Sequence, residues 1–288
     1  MNEYKKVKNI LIVILIANLL VAFSKIIIGN YIGSYSVSAD GLHSLADTAS
    51  NIVGIIGVII ASKPSDKEHP YGHKKFEVLS SLFIGIMLIF IAGKIIIESI
   101  LQINSRVSLN LTVDSFIILV ITLIINIIVS RYEYKAGKKL NSYVLISDSL
   151  HTKSDIFISI GVLITLLSIK LGAPVIIDNV VSFVVAGFIL YAACKIFKLT
   201  IDILVDRAMV EERDVKEAVE DFEEIREIHK IRSRGSENDI YIDMHIMVEP
   251  DMTVETSHQL EHNIERKMQE KINENIHVII HMEPYYRC

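Results

Sequence analysis

The chain of 288 residues is 51% hydrophobic and 22% charged, with a formal net charge of −5. So large an apolar share, gathered into long runs, excludes an ordinary soluble globule, and the acidic balance offers no basic surface for nucleic acid. Two cysteines, Cys194 in an apolar run and Cys288 at the last position, are too few for a disulfide framework or a thiolate metal site.

Apolar windows long enough to cross a hydrocarbon core of ~30 Å fall near 9–29, 34–62, 78–103, 111–131, 142–170 and 175–199. They predict a domain of six transmembrane helices over 1–203. The breaks carry turn residues: Gly29-Asn30 with Gly33-Ser34, Pro64 with Pro70, Asn104-Ser105, Gly137, and Gly172 with Pro174. The basic segment Met1–Lys8 has no A-x-A-like cleavage site after its apolar run, so that run is expected to be retained as a helix.

Charge sets the expected orientation. Lys5, Lys6 and Lys8, then Lys63, Lys67, Lys74 and Lys75, then Arg131, Lys135, Lys138 and Lys139 share one side in a six-helix count, while the opposite loops hold only Arg106 and Lys170. The positive-inside rule then makes both termini cytoplasmic.

Within the second and fifth windows lies the same pattern, D-x-x-H-x-x-x-D: Asp40, His43 and Asp47, then Asp148, His151 and Asp155. On a helix these spacings place two carboxylates and an imidazole within roughly 60° of arc. An Asp at the centre of a membrane helix costs on the order of 2.5–3.5 kcal/mol, so two such stripes imply a use. His nitrogen and Asp oxygen both suit Zn²⁺, and His43, Asp47, His151 and Asp155 would make a four-ligand shell. Asp40 and Asp148 extend the stripes by about a turn toward opposite faces. The plainer alternative is a buried polar network pinning two helices, although hydroxyls or amides would do that at lower cost. The two copies lie three helices apart in the count, as in an inverted repeat of three plus three helices.

The loop before the third window holds Asp66, His69 and His73, a metal-ligand spacing interrupted by Pro70 and Gly72; a solvated loop with chance histidines is the alternative. After Asp206-Arg207 the chain turns polar. Glu211–Glu224 is expected to be an amphipathic helix and Ile228–Ser233 a strand. Ile240–Val248 alternates as a half-buried strand, Thr253–Asn273 is a helix capped by Asp251 or Thr253, and Ile276–Met282 is a strand. This α-β-β-α-β order over 204–288 predicts a small α+β domain. His277 and His281 share one strand face, His245 lies on the mixed face of its own strand, His229 and His258 could join them, and Glu283 adds a carboxylate. Scattered surface histidines are the competing reading. There is no H-E-x-x-H, Walker A loop or dinucleotide fingerprint, so no motif for an enzyme or for ATP-driven pumping.

These motifs resemble the cation diffusion facilitator family of divalent-metal/proton antiporters: HSLAD (43–47), HTKSD (151–155), DKEHPYGHKKFE (66–77) and HMEP (281–284). The resemblance spans nearly the whole chain. It implies a transport site at His43, Asp47, His151 and Asp155, a loop site at Asp66, His69 and His73, and a cytoplasmic binuclear site at His229, His245, His258 and His281, with Glu283 where many members have Asp. It further implies a homodimer whose C-terminal domains have a metallochaperone-like fold, and an inter-subunit charge interlock at Lys75 and Asp206. Many bacterial members carry Asp in place of His43; a His/Asp pair on both helices is similar to the zinc-preferring branches, because imidazole suits Zn²⁺ better than the harder Mn²⁺.

The expectation is therefore an integral membrane transporter of a bacterial-type inner or plasma membrane. It would export Zn²⁺ against protons by alternating access, with Cd²⁺ as co-substrate and Fe²⁺ or Mn²⁺ as alternative cargo. A passive metal channel and a membrane metal sensor are the readings from other classes.

Overall fold

The computed structural model describes the backbone of residues 2–31, 35–102, 113–171 and 176–286. Within these segments the side chains of 2, 28, 29, 31, 35–43, 46, 47, 102, 113–115, 118, 166, 169, 170 and 178 lie outside the described set. The chain divides into two compact units, residues 1–201 and 202–288.

The first unit is built from six long helices: α1 (Asn2–Tyr31), α2 (Tyr35–Ala61), α3 (Lys75–Gln102), α4 (Val113–Lys139), α5 (Tyr143–Lys170) and α6 (Ile176–Leu204), the last running into the second unit. Several outrun the apolar windows. α1 starts well before residue 9 and α4 continues past Arg131 to Lys139, because a helix satisfies its backbone hydrogen bonds whatever its side chains and can leave the hydrocarbon with charged ends in water. Large apolar side chains such as Val13, Leu20 and Ile27 on α1, Phe90 and Leu101 on α3, Ile128 on α4 and Tyr191 on α6 point outward. Contiguous exposed apolar surface on this scale needs a lipid neighbour. Among the described residues three helical segments, Glu3–Ile27, Lys75–Leu101 and Asn179–Leu204, are both long and apolar enough to cross a membrane.

α5 occupies the middle of the unit. Its Val144 and Leu145 pack with Val7 and Leu11 of α1 and Val58 of α2, while its Ile146 and Leu150 join Ile84 and Leu88 of α3 and Ile189 and Ile196 of α6. α2 packs directly on both α3 and α5. Gly57 permits the first approach, since a Cβ there would sit 2.6 Å from Ser80 Cβ and 3.2 Å from the Phe76 carbonyl oxygen.

The second unit runs α7 (Glu212–Val219), β1 (Glu227–Ser236), β2 (Asp239–Val248), α8 (Val254–Lys271) and β3 (Ile276–Pro284). The sheet order is β1-β2-β3, with β1/β2 antiparallel and β2/β3 parallel. α8 supplies the crossover that a parallel pair requires, and Thr253 caps it by accepting from Thr256 N. α7 is shorter than the span expected from its charge pattern. Past Val219 the chain turns, and Phe222 and Ile225 reach the core from that turn. Along β2 and β3 the even-numbered residues Ile242, Met244, Ile246, Ile276 and Val278 enter this core with Leu260, Ile264 and Met268 of α8. The odd-numbered residues therefore form the opposite sheet face.

Candidate metal centres

Period-2 alternation decides the first cluster. His229 of β1 pairs in register with His245 of β2, and His245 with His281 of β3. The three imidazoles thus form one row across the sheet, on the face turned from α8. Ring centroids are 5.4 Å apart for His229–His245 and 4.6 Å for His245–His281. Glu283, two residues beyond His281, reaches back to the row. Its Oε1 lies 2.7 Å from His245 Nδ1, its Oε2 lies 3.2 Å from His229 Nε2, and His281 Nε2 stands 3.8 Å away. The hydrogen bond from His245, aided by the charge of the neighbouring His229, holds the Glu283 carboxyl below its ordinary range. His229, His245 and Glu283 bring one ligand atom each within 4.8 Å of one another, a donor set suited to a divalent transition metal. His258 is elsewhere: on α8, its Nε2 lies 3.2 Å from that of His262. His277 stacks on Tyr241 and faces Asp239.

The second cluster lies in the loop between α2 and α3. Asp66 closes it by accepting backbone N–H bonds from His69 at 2.7 Å and Glu68 at 3.0 Å, and the first of these lowers the Asp66 pKa most. His69 Nδ1 and His73 Nε2 each lie 3.4 Å from an Asp66 carboxylate oxygen. His73 is buried and its Nδ1 meets the Pro64 carbonyl at 3.1 Å. A carbonyl only accepts, so Nδ1 carries the proton, and a neutral His73 turns its Nε2 lone pair toward Asp66. Lone pair facing carboxylate is repulsive unless a proton or a metal ion lies between them. Asp66, His69 and His73 all lie within 4.8 Å by their ligand atoms.

The third constellation is inside the helical unit. A polar cavity of about 80 Å³ is lined by Asp148, His151, Thr152 and Asp155 of α5, by Ser44, Thr48, Ser50 and Asn51 of α2, and by Asn18 and Lys25 of α1. His151 is buried, and neither ring nitrogen has a hydrogen-bond partner among the described residues. The side chains of Asp40, His43 and Asp47 lie outside the described residues; Ser44 and Thr48 of the same helix line this cavity. Lys75 opens α3, and Asp206 follows α6 with a φ of 55°; both are exposed. Sequence reasoning missed Lys25, which donates to Ser44 Oγ at 2.9 Å, and Glu133 of α4, which is fully buried. Lys25 is a single charge inside an apolar run, a signal that sequence offers; Glu133 sits among the charges of Arg131–Lys139 and carries no such signal.

A helical unit with a polar cavity at its centre and apolar flanks, followed by a small mixed-sheet domain, defines a membrane transport protein. Residues 11–205 match the family model for the cation efflux transmembrane domain, and residues 208–285 match that for the cation efflux protein cytoplasmic domain. The chain belongs to the cation efflux, or cation diffusion facilitator, family; it is an integral membrane transporter and not an enzyme. It is 36% identical over 263 residues to an uncharacterised transporter of Methanocaldococcus jannaschii, covering 89% of this chain and 91% of that one. It is 29% identical over 287 residues to the manganese efflux system protein MneP of Bacillus subtilis, covering 97% and 96%. Metal tolerance protein 2 of Oryza sativa subsp. japonica is 28% identical over 277 residues, covering 85% of this chain and 70% of its own.

Proposed function

We propose that this protein exports a divalent transition-metal cation from the cytoplasm in exchange for protons, by alternating access around His43, Asp47, His151 and Asp155. The observation that carries the reading is His151: a buried imidazole with both nitrogens unpartnered among the described residues, in a polar cavity it shares with Asp155. Such a group needs a ligand, and a metal cation supplies one. Binding requires neutral imidazole and ionised carboxylates, so loading releases protons. When the cavity opens to the other side, protons compete for the same atoms and displace the metal. The six long helices are taken as six spans, with both termini and the second unit in the cytoplasm.

The imidazoles favour Zn²⁺ as cargo, with Cd²⁺ close to it. Mn²⁺ is the second reading, favoured by the manganese efflux names of two Bacillus subtilis relatives; Fe²⁺ would share its chemistry. The protein works as a homodimer, which accords with its match to the family's cytoplasmic domain. The sheet cluster of His229, His245 and Glu283, with His281 beside it, serves as a cytosolic metal sensor, provided that metal binds the transporting state better than the resting one. His258 would join only by a rearrangement or through the partner copy. Asp66, His69 and His73 form the loop site, while Lys75 and Asp206 serve the contact between subunits.

Metal uptake into proteoliposomes tests the proposal. Zn²⁺, Cd²⁺, Mn²⁺ and Fe²⁺ are compared with and without a pH gradient, with a pH-sensitive dye in the lumen. Gradient-driven metal flux with opposing proton flux is expected. Flux indifferent to the gradient would mean a passive channel, and binding without flux a receptor.

A further inference from the structure

Glu133 stands outside every motif in the chain. It lies on α4 and is fully buried. Thr152 Oγ1, on α5, donates to its Oε2 at 3.1 Å, and its Oε1 has no hydrogen-bond partner among the described residues. The same Thr152 hydroxyl lies 3.1 Å from the backbone carbonyl oxygen of Asp148, so Glu133 and Asp148 meet around one side chain of α5. Asp148, also buried, accepts from Ser50 Oγ at 3.1 Å and from Asn51 Nδ2. Hydroxyls and an amide soften the burial of two carboxylates without cancelling it. Two carboxylates out of water around one hydroxyl call for a proton or a cation to offset their charge.

A separate observation favours the cation. His151, 3% exposed and unpartnered at both ring nitrogens among the described residues, opens on the same cavity as Asp148, Ser50, Asn51 and Thr152. Asp148 precedes it by three residues, about 4.5 Å along the helix axis, on the side of Tyr143, where α5 begins. We propose that Glu133 and Asp148 form a second cation-binding site, built from oxygen donors and one helical turn from His151, where the cargo rests between the cytoplasm and the His/Asp site. Ser50 and Thr152 offer further oxygens, so the site suits a hard divalent ion such as Mn²⁺ better than a soft one. Only the direction of travel rests on the transport reading given above.

The test uses the full-length protein in lipid nanodiscs and proteoliposomes, with Mn²⁺ alone as probe. Glu133→Gln keeps an oxygen for Thr152 and removes the charge. It should raise the KM for Mn²⁺ roughly tenfold or more, the usual scale for a lost metal-site interaction, and leave the maximal flux within about twofold. In Asp155→Asn, electron paramagnetic resonance should detect residual Mn²⁺ inside the helical unit, and adding Glu133→Gln should remove it. An unchanged KM and unchanged residual binding would overturn the site. So would unchanged Mn²⁺ binding with a shifted pH profile of flux, which makes the pair a proton carrier. Wild-type flux by Asp155→Asn would sink the transport reading, whereas loss of residual Mn²⁺ through Glu133→Gln still supports the second site. Thermal unfolding of each variant checks that the fold survives.

Discussion

Single side chains differ here in what their surroundings let them do. Glu283 ties two of the three histidines in the sheet row, at 2.7 Å and 3.2 Å. Glu283→Gln keeps the size and loses the charge, so Zn²⁺ binding to the C-terminal unit should weaken about 10–100-fold, read by titration calorimetry on the full-length protein. An unchanged affinity would remove Glu283 from the site. Asp221 is an exposed contrast. Lys267 and Lys271 of α8 lie 3.3 and 3.4 Å from its Oδ2, and the Lys267 bond leads the lowering of its pKa. A lowered carboxylate contributes stability above its unfolded pKa of about 3.9, and that contribution is lost as pH falls through the folded value. Asp221→Asn should therefore lower the unfolding midpoint slightly at pH 7 and not at all at strongly acid pH, with high salt shrinking the difference. A difference that persisted in strong acid would mean that charge is not its source.

Among the elements, α2 and α5 carry the chemistry, and their neighbours fix where it sits. α5 is gripped from both sides, by α1, α2 and α4 and by α3 and α6. The register of α2 against α3 depends on Gly57, where an added Cβ meets Ser80 Cβ at 2.6 Å. Rotating Ser80 Oγ away cannot relieve a clash with its Cβ. Gly57→Ala should cost about 1–3 kcal/mol through overpacking, seen as a lower unfolding midpoint and slower metal flux. Wild-type values for both would show that the helices part freely there. In the second unit a strand with one buried face and one polar face places three histidines in a line without any loop to position them.

For the whole molecule, the lysines near the ends of α1, α2, α3 and α4 demand one orientation if six helices cross the bilayer. With Cys194 and Cys288 replaced by Ser, a membrane-impermeant maleimide should label Ser65→Cys only in inverted vesicles and Leu171→Cys only in right-side-out ones. Labelling of both from the same side would break the six-span count.

Much of this was legible in the chain of letters. Apolar runs of spanning length, period 2 in Ile240–Val248, the loop spacing D-x-x-H-x-x-x-H at Asp66, His69 and His73 and the even spacing of strand histidines predicted long helices, a small α-β-β-α-β unit and the clusters around His73 and His245. Those signals are local, because a helix or strand face is set by spacing along one segment. What local spacing could not say is which faces meet. Only packing brought Glu133 of α4 beside Asp148 of α5, placed Lys25 of α1 in the cavity, and turned Glu283 back onto His245. Packing also set His258 beside His262 on α8 while the histidine row formed on the sheet face turned from that helix. Periodicity assigns a residue to a face; the burial of neighbouring helices and the register between strands decide what that face touches.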